Sequence, residues 1–159
     1  TSDIQTFFRK VWLRLPAPVR RWTMRFTNTR FTVTAGALVF NDKGEVLLLK
    51  HVFRVGSGWG VPGGFMEAGE QPDEAVRREL LEEVGVEIND LKVFTTRSFK
   101  KLRQVEIVFV CRSNGEATPM SVEVERAEWF RPDQLPAVLA NDQKKLIEAA
   151  LENGANHHD

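Results

Sequence analysis

The chain of 159 residues has no tyrosine and a single cysteine, Cys111. One cysteine excludes an internal disulfide framework and agrees with a reducing, cytoplasmic setting. Cys111 closes the apolar run Ile107–Cys111, so a buried, inert thiol is expected rather than a nucleophile. No stretch reaches the roughly 18 apolar residues of a membrane-spanning helix. The N-terminal residues are basic but lack the uninterrupted apolar core of a secretory signal. Neither sign of charge dominates, because 22 Lys and Arg balance 22 Asp and Glu. Whole-molecule charge therefore gives no argument for nucleic-acid binding. Internal repeats and low-complexity segments are absent. The length suits one domain with a proper core, and 42% hydrophobic and 28% charged residues are ordinary for a globular protein.

One absence is local. Between Asp3 and Asp42 there is no acidic residue, while Arg9, Lys10, Arg14, Arg20, Arg21, Arg25 and Arg30 all fall there. Phe7, Phe8, Val11, Trp12 and Leu15 recur at helical spacing and predict a helix over Asp3–Leu15, ended by Pro16 and Pro18. Val19, Trp22 and Phe26 suggest a second short amphipathic helix. Three readings of this arm stand side by side. It packs on its own domain or a partner subunit; it meets anionic lipid or phosphate; or it is a disordered leader.

Phe31–Asn41, rich in Val, Thr and Phe, reads as a strand, and Asn41–Gly44 as a turn. Glu45–Phe53 then returns as the second strand of a hairpin. Gly56–Gly58 marks a loop. Leu91–Phe99 and Gln104–Arg112 read as strands joined by a basic turn with Lys100, Lys101 and Arg103. Asn114-Gly115 is a further turn, and Val122–Phe130 a last extended piece. Val138–Leu151 reads as a closing helix, with Leu139, Leu146, Ile147, Ala150 and Leu151 on one side. Strands and helices in this order predict a mixed α/β domain.

The densest signal is Gly64–Val86, GFMEAGEQPDEAVRRELLEEVGV. Pro72 suits a first helical turn, Asp73 and Glu74 match the positive end of the helix dipole, and Gly85 is a stop. Ala75, Val76, Leu80 and Val84 give an apolar face. Glu79, Glu82 and Glu83 crowd one side, where like charges repel by roughly 0.2–0.5 kcal/mol per pair. Arg78, four residues from both Glu74 and Glu82, braces the row. Such a row makes sense before a hard divalent cation, which takes oxygen ligands and bridges to phosphates. As a solvated acidic face alone it has less to explain it.

This stretch resembles the Nudix box, G-x5-E-x7-R-E-U-x-E-E-x-G-U with U aliphatic. Gly64, Glu70, Arg78-Glu79-Leu80, Glu82-Glu83 and Gly85-Val86 fill every specified position. The resemblance implies the fold of Nudix hydrolases, an α/β/α sandwich with a mixed sheet, here carrying a basic helical extension. Domain bounds of 1–30 for the extension, 31–152 for the hydrolase domain and 153–159 for a tail are expected. It implies a pyrophosphatase acting on a small-molecule nucleoside diphosphate derivative, with Mg²⁺ or Mn²⁺ held by Glu79, Glu82, Glu83 and the Gly63 carbonyl. Glu79 is also a candidate base. Gly64, Glu70 and Arg78 match positions that hold loop and helix together. In family members a further carboxylate often precedes an aromatic pair; here Glu123 stands six residues before Trp129-Phe130, with Glu125 and Glu116 as rivals. A homodimer is among the implied assemblies.

Substrate contacts are weaker signals. Arg54, Arg97, Lys100, Lys101 and Arg103 are candidates for phosphates; Phe53, Trp59 and Phe65 are candidates for stacking on a base, against a plain core role. His51 is expected to be structural. Subtype markers are missing: Lys100 stands where ADP-ribose hydrolases carry a proline, no tyrosine serves the dinucleoside polyphosphate type, and the extended motif of NADH-type members is not seen. A catalytically silent sensing module is the alternative, though such members commonly have eroded glutamates. Isoprenoid diphosphate isomerisation is a third, with only Cys111 to support it.

Overall fold

A computed structural model describes residues 2–19, 30–54 and 56–155. The chain divides into two compact units, Thr1–Phe31 and Thr32–Asp159. The first holds helix α1, Ser2–Arg14, close to the expected span. Of the expected second short helix, Val19 is helical, while Trp22 and Phe26 lie outside the described residues.

The second unit is built on a seven-stranded mixed sheet. Its strands are β1 Thr32–Phe40, β2 Val46–His51, β3 Trp59–Gly60, β4 Gly63–Phe65, β5 Asn89–Phe99, β6 Gln104–Arg112 and β7 Val124–Phe130. The order is β3-β2-β1-β6-β5, with β4 added to β1 and β7 to β2. β1 and β6 run parallel in unbroken register from Thr32 opposite Gln104 to Phe40 opposite Arg112. β5 and β6 form an antiparallel hairpin across the basic turn.

The first hairpin differs from expectation. β1 and β2 are antiparallel, but they pair only beside the turn, Phe40 opposite Val46. Beyond that the strands part, and β4 takes the freed edge of β1, from Thr34 opposite Phe65 to Gly36 opposite Gly63. β2 pairs instead with β7 and β3. The separation lets the chain before the box enter the sheet.

Alternation along the central strands sorts side chains into two layers. Ala35, Ala37, Val39, Leu47 and Leu49 face Ala75, Val76, Leu80 and Val84 of helix α2, Pro72–Val84. Leu38, Phe40, Val46 and Leu48 face Leu146, Ile147 and Ala150 of helix α3, Asn141–Ala155. The result is the expected α/β/α sandwich, with near-continuous apolar strands because the sheet is covered on both faces. Cys111 is buried in the first layer, and burial pushes its thiol up to about 12. Helix α3 starts three residues later than predicted. Leu139 donates its N–H to the Pro136 carbonyl in a turn, and the Ala140 carbonyl accepts the first helical bonds, yet Leu139 still packs into the layer.

Candidate active site

Helix α2 is fixed at both ends. Pro72 opens it, the Glu74 carboxylate accepts the Gln71 N–H at 2.9 Å, and Gly85 closes it at φ 68°. The Gly85 and Val86 N–H groups return to the carbonyls of Leu81 and Leu80, a Schellman-type stop. With its apolar face locked into the core, the helix can hold carboxylates in set directions. Glu83 lies on the buried side, only 6% exposed, beside Val84 and Leu80.

Arg78 ties the preceding loop to the helix. Its Nε and Nη2 donate to the two Glu70 oxygens at 2.8 and 3.1 Å, and Nη2 also reaches the Phe65 carbonyl at 3.2 Å. Its Nη1 donates to Glu79 at 2.9 Å and lies 3.4 Å from Glu82. This fork lowers the Glu70 pKa and raises that of Arg78. Arg78 thus braces Glu79 and Glu82 as expected, but its main partner is Glu70 rather than Glu74.

A cavity of about 350 Å³ opens in front of the helix. Glu79, Glu83 and Glu123 line it on one side, and Gly63, Gly64, Phe65, Phe53, Arg54 and His51 complete it. The two glycines are there for close approach. Gly63, at φ 146°, packs its α-carbon against the Ala35–Gly36 backbone, and a β-carbon on Gly64 would collide with the Glu79 carboxylate. Burial, then the nearby Glu79, pushes Glu83 up to about 7; burial also raises Glu79, against the pull of Arg78. His51 Nδ1 lies 3.6 Å from Glu83 Oε1, and burial together with Arg54 holds the imidazole down at about 4, so it is neutral there. Glu83 Oε2 is buried with no hydrogen-bond partner among the described residues. A carboxylate oxygen so placed, without a donor, is costly unless something positive completes it.

A sequence profile of the NUDIX domain matches residues 30–150. The chain belongs to the NUDIX family. Among curated relatives of this NUDIX chain, the NAD-capped RNA hydrolase NudC of Pseudomonas syringae pv. tomato is 32% identical over 123 residues, 75% of this chain and 44% of the relative. NudC of Pseudomonas aeruginosa is 35% identical over 97 residues, 60% of this chain and 35% of the relative. The chain spans less than half the length of these relatives. Among solved structures, a MutT NUDIX hydrolase from Burkholderia pseudomallei superposes with a TM-score of 0.67 at 26% identity, covering 76% of this chain and 98% of that one. The NUDIX domain of Shewanella oneidensis NrtR, solved with ADP ribose, gives 0.67 at 22% identity over 80% and 91%, and shows the same fold.

The fold thus brings Glu79, Gly64, Glu83 and Phe65 of the NUDIX box to one cavity with Gly63, Arg54 and Glu123 from outside it. It does not bring Glu82, whose side chain is 62% exposed and turned toward Arg78. Arg97 is also elsewhere, ion-paired with Glu106 and, at 3.3 Å, with Asp142, and stacked 5.3 Å over Phe99. It lines a neighbouring cavity of about 330 Å³ that shares Arg54 with the first. Glu125, the rival to Glu123, is taken up by Lys50 at 2.9 Å. Trp59 packs edge-on against Phe130, a core contact. His51, expected to be merely structural, lines the glutamate cavity. The signal was available: Leu47, Leu49 and His51 alternate along β2 on the face that looks at α2.

NUDIX hydrolases generally need divalent metal ions, and the residues here fit one. The donors are all oxygen, as hard cations prefer, and Glu83 Oε2 is left over from the protein's own hydrogen bonds. Among the described residues no three acidic, histidine or cysteine side chains already form a closed ligand cluster. The set would therefore combine Glu79 and Glu83 with a backbone carbonyl and with substrate or solvent oxygens.

Proposed function

We propose that this NUDIX domain hydrolyses the diphosphate link of a nucleoside diphosphate joined to another group, using Mg²⁺ or Mn²⁺. The observation that carries the reading is the unpartnered Glu83 oxygen beside Glu79 in a cavity that also contains an arginine. Glu79, Glu83 and the Gly63 carbonyl hold the metal in this reading, and Glu82 joins from the rim on the strength of the complete box. Bound there, the ion supplies charge neutralisation at phosphate and a lowered pKa for water. The chain's own residues do the rest. Arg54, whose guanidinium lies against Gly60, makes no hydrogen bond or ion pair among the described residues and is free to take a phosphate oxygen. Glu79 or Glu123 accepts a proton from the attacking water. Phe65 and Phe53, both exposed at the cavity, flank the group beside the phosphates. Arg97 lines the neighbouring cavity, where it is ion-paired with Glu106 and Asp142, and in this reading its edge borders the distal part of the substrate.

Because the curated relatives are named NAD-capped RNA hydrolases, NAD-capped RNA belongs among the substrates to test. The same reading includes an extension over 1–30, a catalytic domain over 31–152 and a tail over 153–159. It also includes a cytoplasmic setting, a homodimer, and a peripheral contact of the basic arm with an anionic surface. Among the described residues no helix is long and apolar enough to cross a membrane.

The test is a hydrolysis screen with Mg²⁺ and separately Mn²⁺. The panel holds nucleoside triphosphates, nucleotide sugars, ADP-ribose, NADH, dinucleoside polyphosphates, CDP-alcohols and NAD-capped RNA, with products weighed by mass spectrometry. Metal-dependent release of a nucleoside monophosphate or diphosphate is expected. Tight binding of one compound without cleavage would replace the enzyme by a sensing module.

A further inference from the structure

We propose that α1 is a membrane-surface anchor, lying in the interface of a bilayer rich in anionic lipid. Ile4, Phe7, Phe8 and Val11 enter the acyl boundary, and Arg9, Lys10 and Arg14 reach the headgroup phosphates. The proposal rests on the arm contact named above and not on the hydrolytic chemistry.

The four apolar residues stand at i, i+3, i+4 and i+7, which sets them in one stripe along a 13-residue helix. All four are exposed, Phe7 at 63% and Phe8 at 65%, with their rings 6.0 Å apart in an edge-on contact. Large aromatic surface left in water on a helix is a mark of an interaction site. Trp12, half-buried at the flank of the stripe, is amphipathic in the way interfacial residues are. Lys10 and Arg14 lie at the border of the stripe and Arg9 behind it, where long cationic side chains can extend toward phosphate.

Charge selects the partner. No acidic residue lies between Asp3 and Asp42, against seven basic ones, in a chain of zero formal charge. Pairing α1 with α1 of a second copy would bury the stripe but crowd both sets of cations, with Asp3 as the single acidic residue of each helix to set against Arg9, Lys10 and Arg14. Anionic headgroups supply that counter-charge while the acyl boundary takes the apolar stripe. Arg9, Lys10 and Arg14 interrupt the apolar residues of α1, so the contact proposed is with the bilayer surface.

The experiment is co-sedimentation of the full chain with vesicles of phosphatidylcholine alone and of phosphatidylcholine with phosphatidylglycerol. Binding to the anionic vesicles only is expected, weakening with salt. The double variant Phe7→Glu with Phe8→Glu, and separately the triple variant Arg9→Gln, Lys10→Gln, Arg14→Gln, should each weaken it by about tenfold or more. Both should hydrolyse a soluble substrate like the parent chain, and Glu83→Gln should bind vesicles normally. The charge variant keeps the apolar stripe, so the test survives if the glutamate variant misfolds. Equal binding to both vesicle types, or unchanged binding in the charge variant, would overturn the proposal. So would a self-association lost in the phenylalanine variant without any vesicle binding.

Discussion

Helices α1 and α2 have the same length, 13 residues, and both carry an apolar stripe at helical spacing. They differ in nearly everything else. α2 is closed by Gly85 and has its stripe sealed against β1 and β2; α1 leaves Ile4, Phe7, Phe8 and Val11 open. α2 carries surplus acid on its functional side and α1 surplus base. Periodicity says which face of a helix is apolar, not what covers it. Cover decides the energetics, because the same carboxylate is ordinary in water and strongly perturbed at the edge of a core. Glu83, 6% exposed, shows the buried case, its carboxyl pushed up to about 7.

The largest effect is expected at Glu83. Glu83→Gln should lower turnover about 10²–10⁴-fold while the circular dichroism spectrum stays unchanged; near-parental rates would remove Glu83 from the site. Next comes packing. Leu80→Ala in α2 should cost about 2–5 kcal/mol in urea unfolding, whereas Phe8→Ala in α1 should stay within about 0.5 kcal/mol. Equal costs would mean that the α1 stripe is as covered as that of α2.

A smaller effect is electrostatic. The folded metal-free protein holds Glu83 at about 7, above its ordinary value of 4.5. The native state therefore binds the extra proton, and stability is lost as pH rises through the folded value. His51, held down at about 4, works oppositely, but only below its ordinary value of 6.5. Between pH 6.5 and about 8 the melting temperature of the metal-free protein should fall, and Glu83→Gln should flatten that fall. A fall of equal size in the variant would assign the dependence to other groups. The smallest effect is expected from removing residues 1–25, which should leave hydrolysis of a soluble substrate unchanged. Loss of folded protein would show that the arm belongs to the core or to a subunit contact.

Much of the fold was legible because its signals are local. Pro72 and Gly85 bound α2 to the residue, and the order of strands and helices announced a mixed α/β domain. The parting of β1 from β2 was not legible, because it depends on β4 competing for the same edge through Gly63 and Gly64. The start of α3 was misplaced because Leu139 keeps the apolar pattern while Pro136 holds it in a turn. At the site, spacing put Glu79, Glu82 and Glu83 on one helix but gave no depth, so the outward course of Glu82 was invisible. Arg97 looked like a free cation until Glu106 and Asp142, distant in sequence, proved to hold it. His51 was passed over because a lone histidine after an apolar strand carries no partner in the sequence; only the fold brings Glu83 to it.

In the proposed function Glu83 Oε2, buried and without a hydrogen-bond partner among the described residues, is kept for a divalent cation. The most direct measurement is a Mn²⁺ titration followed by electron paramagnetic resonance, on the parent chain and on Glu83→Gln, without any substrate. Saturable binding to the parent chain is expected, with an affinity at least about tenfold weaker in the variant. Equal affinity in the two proteins would contradict it.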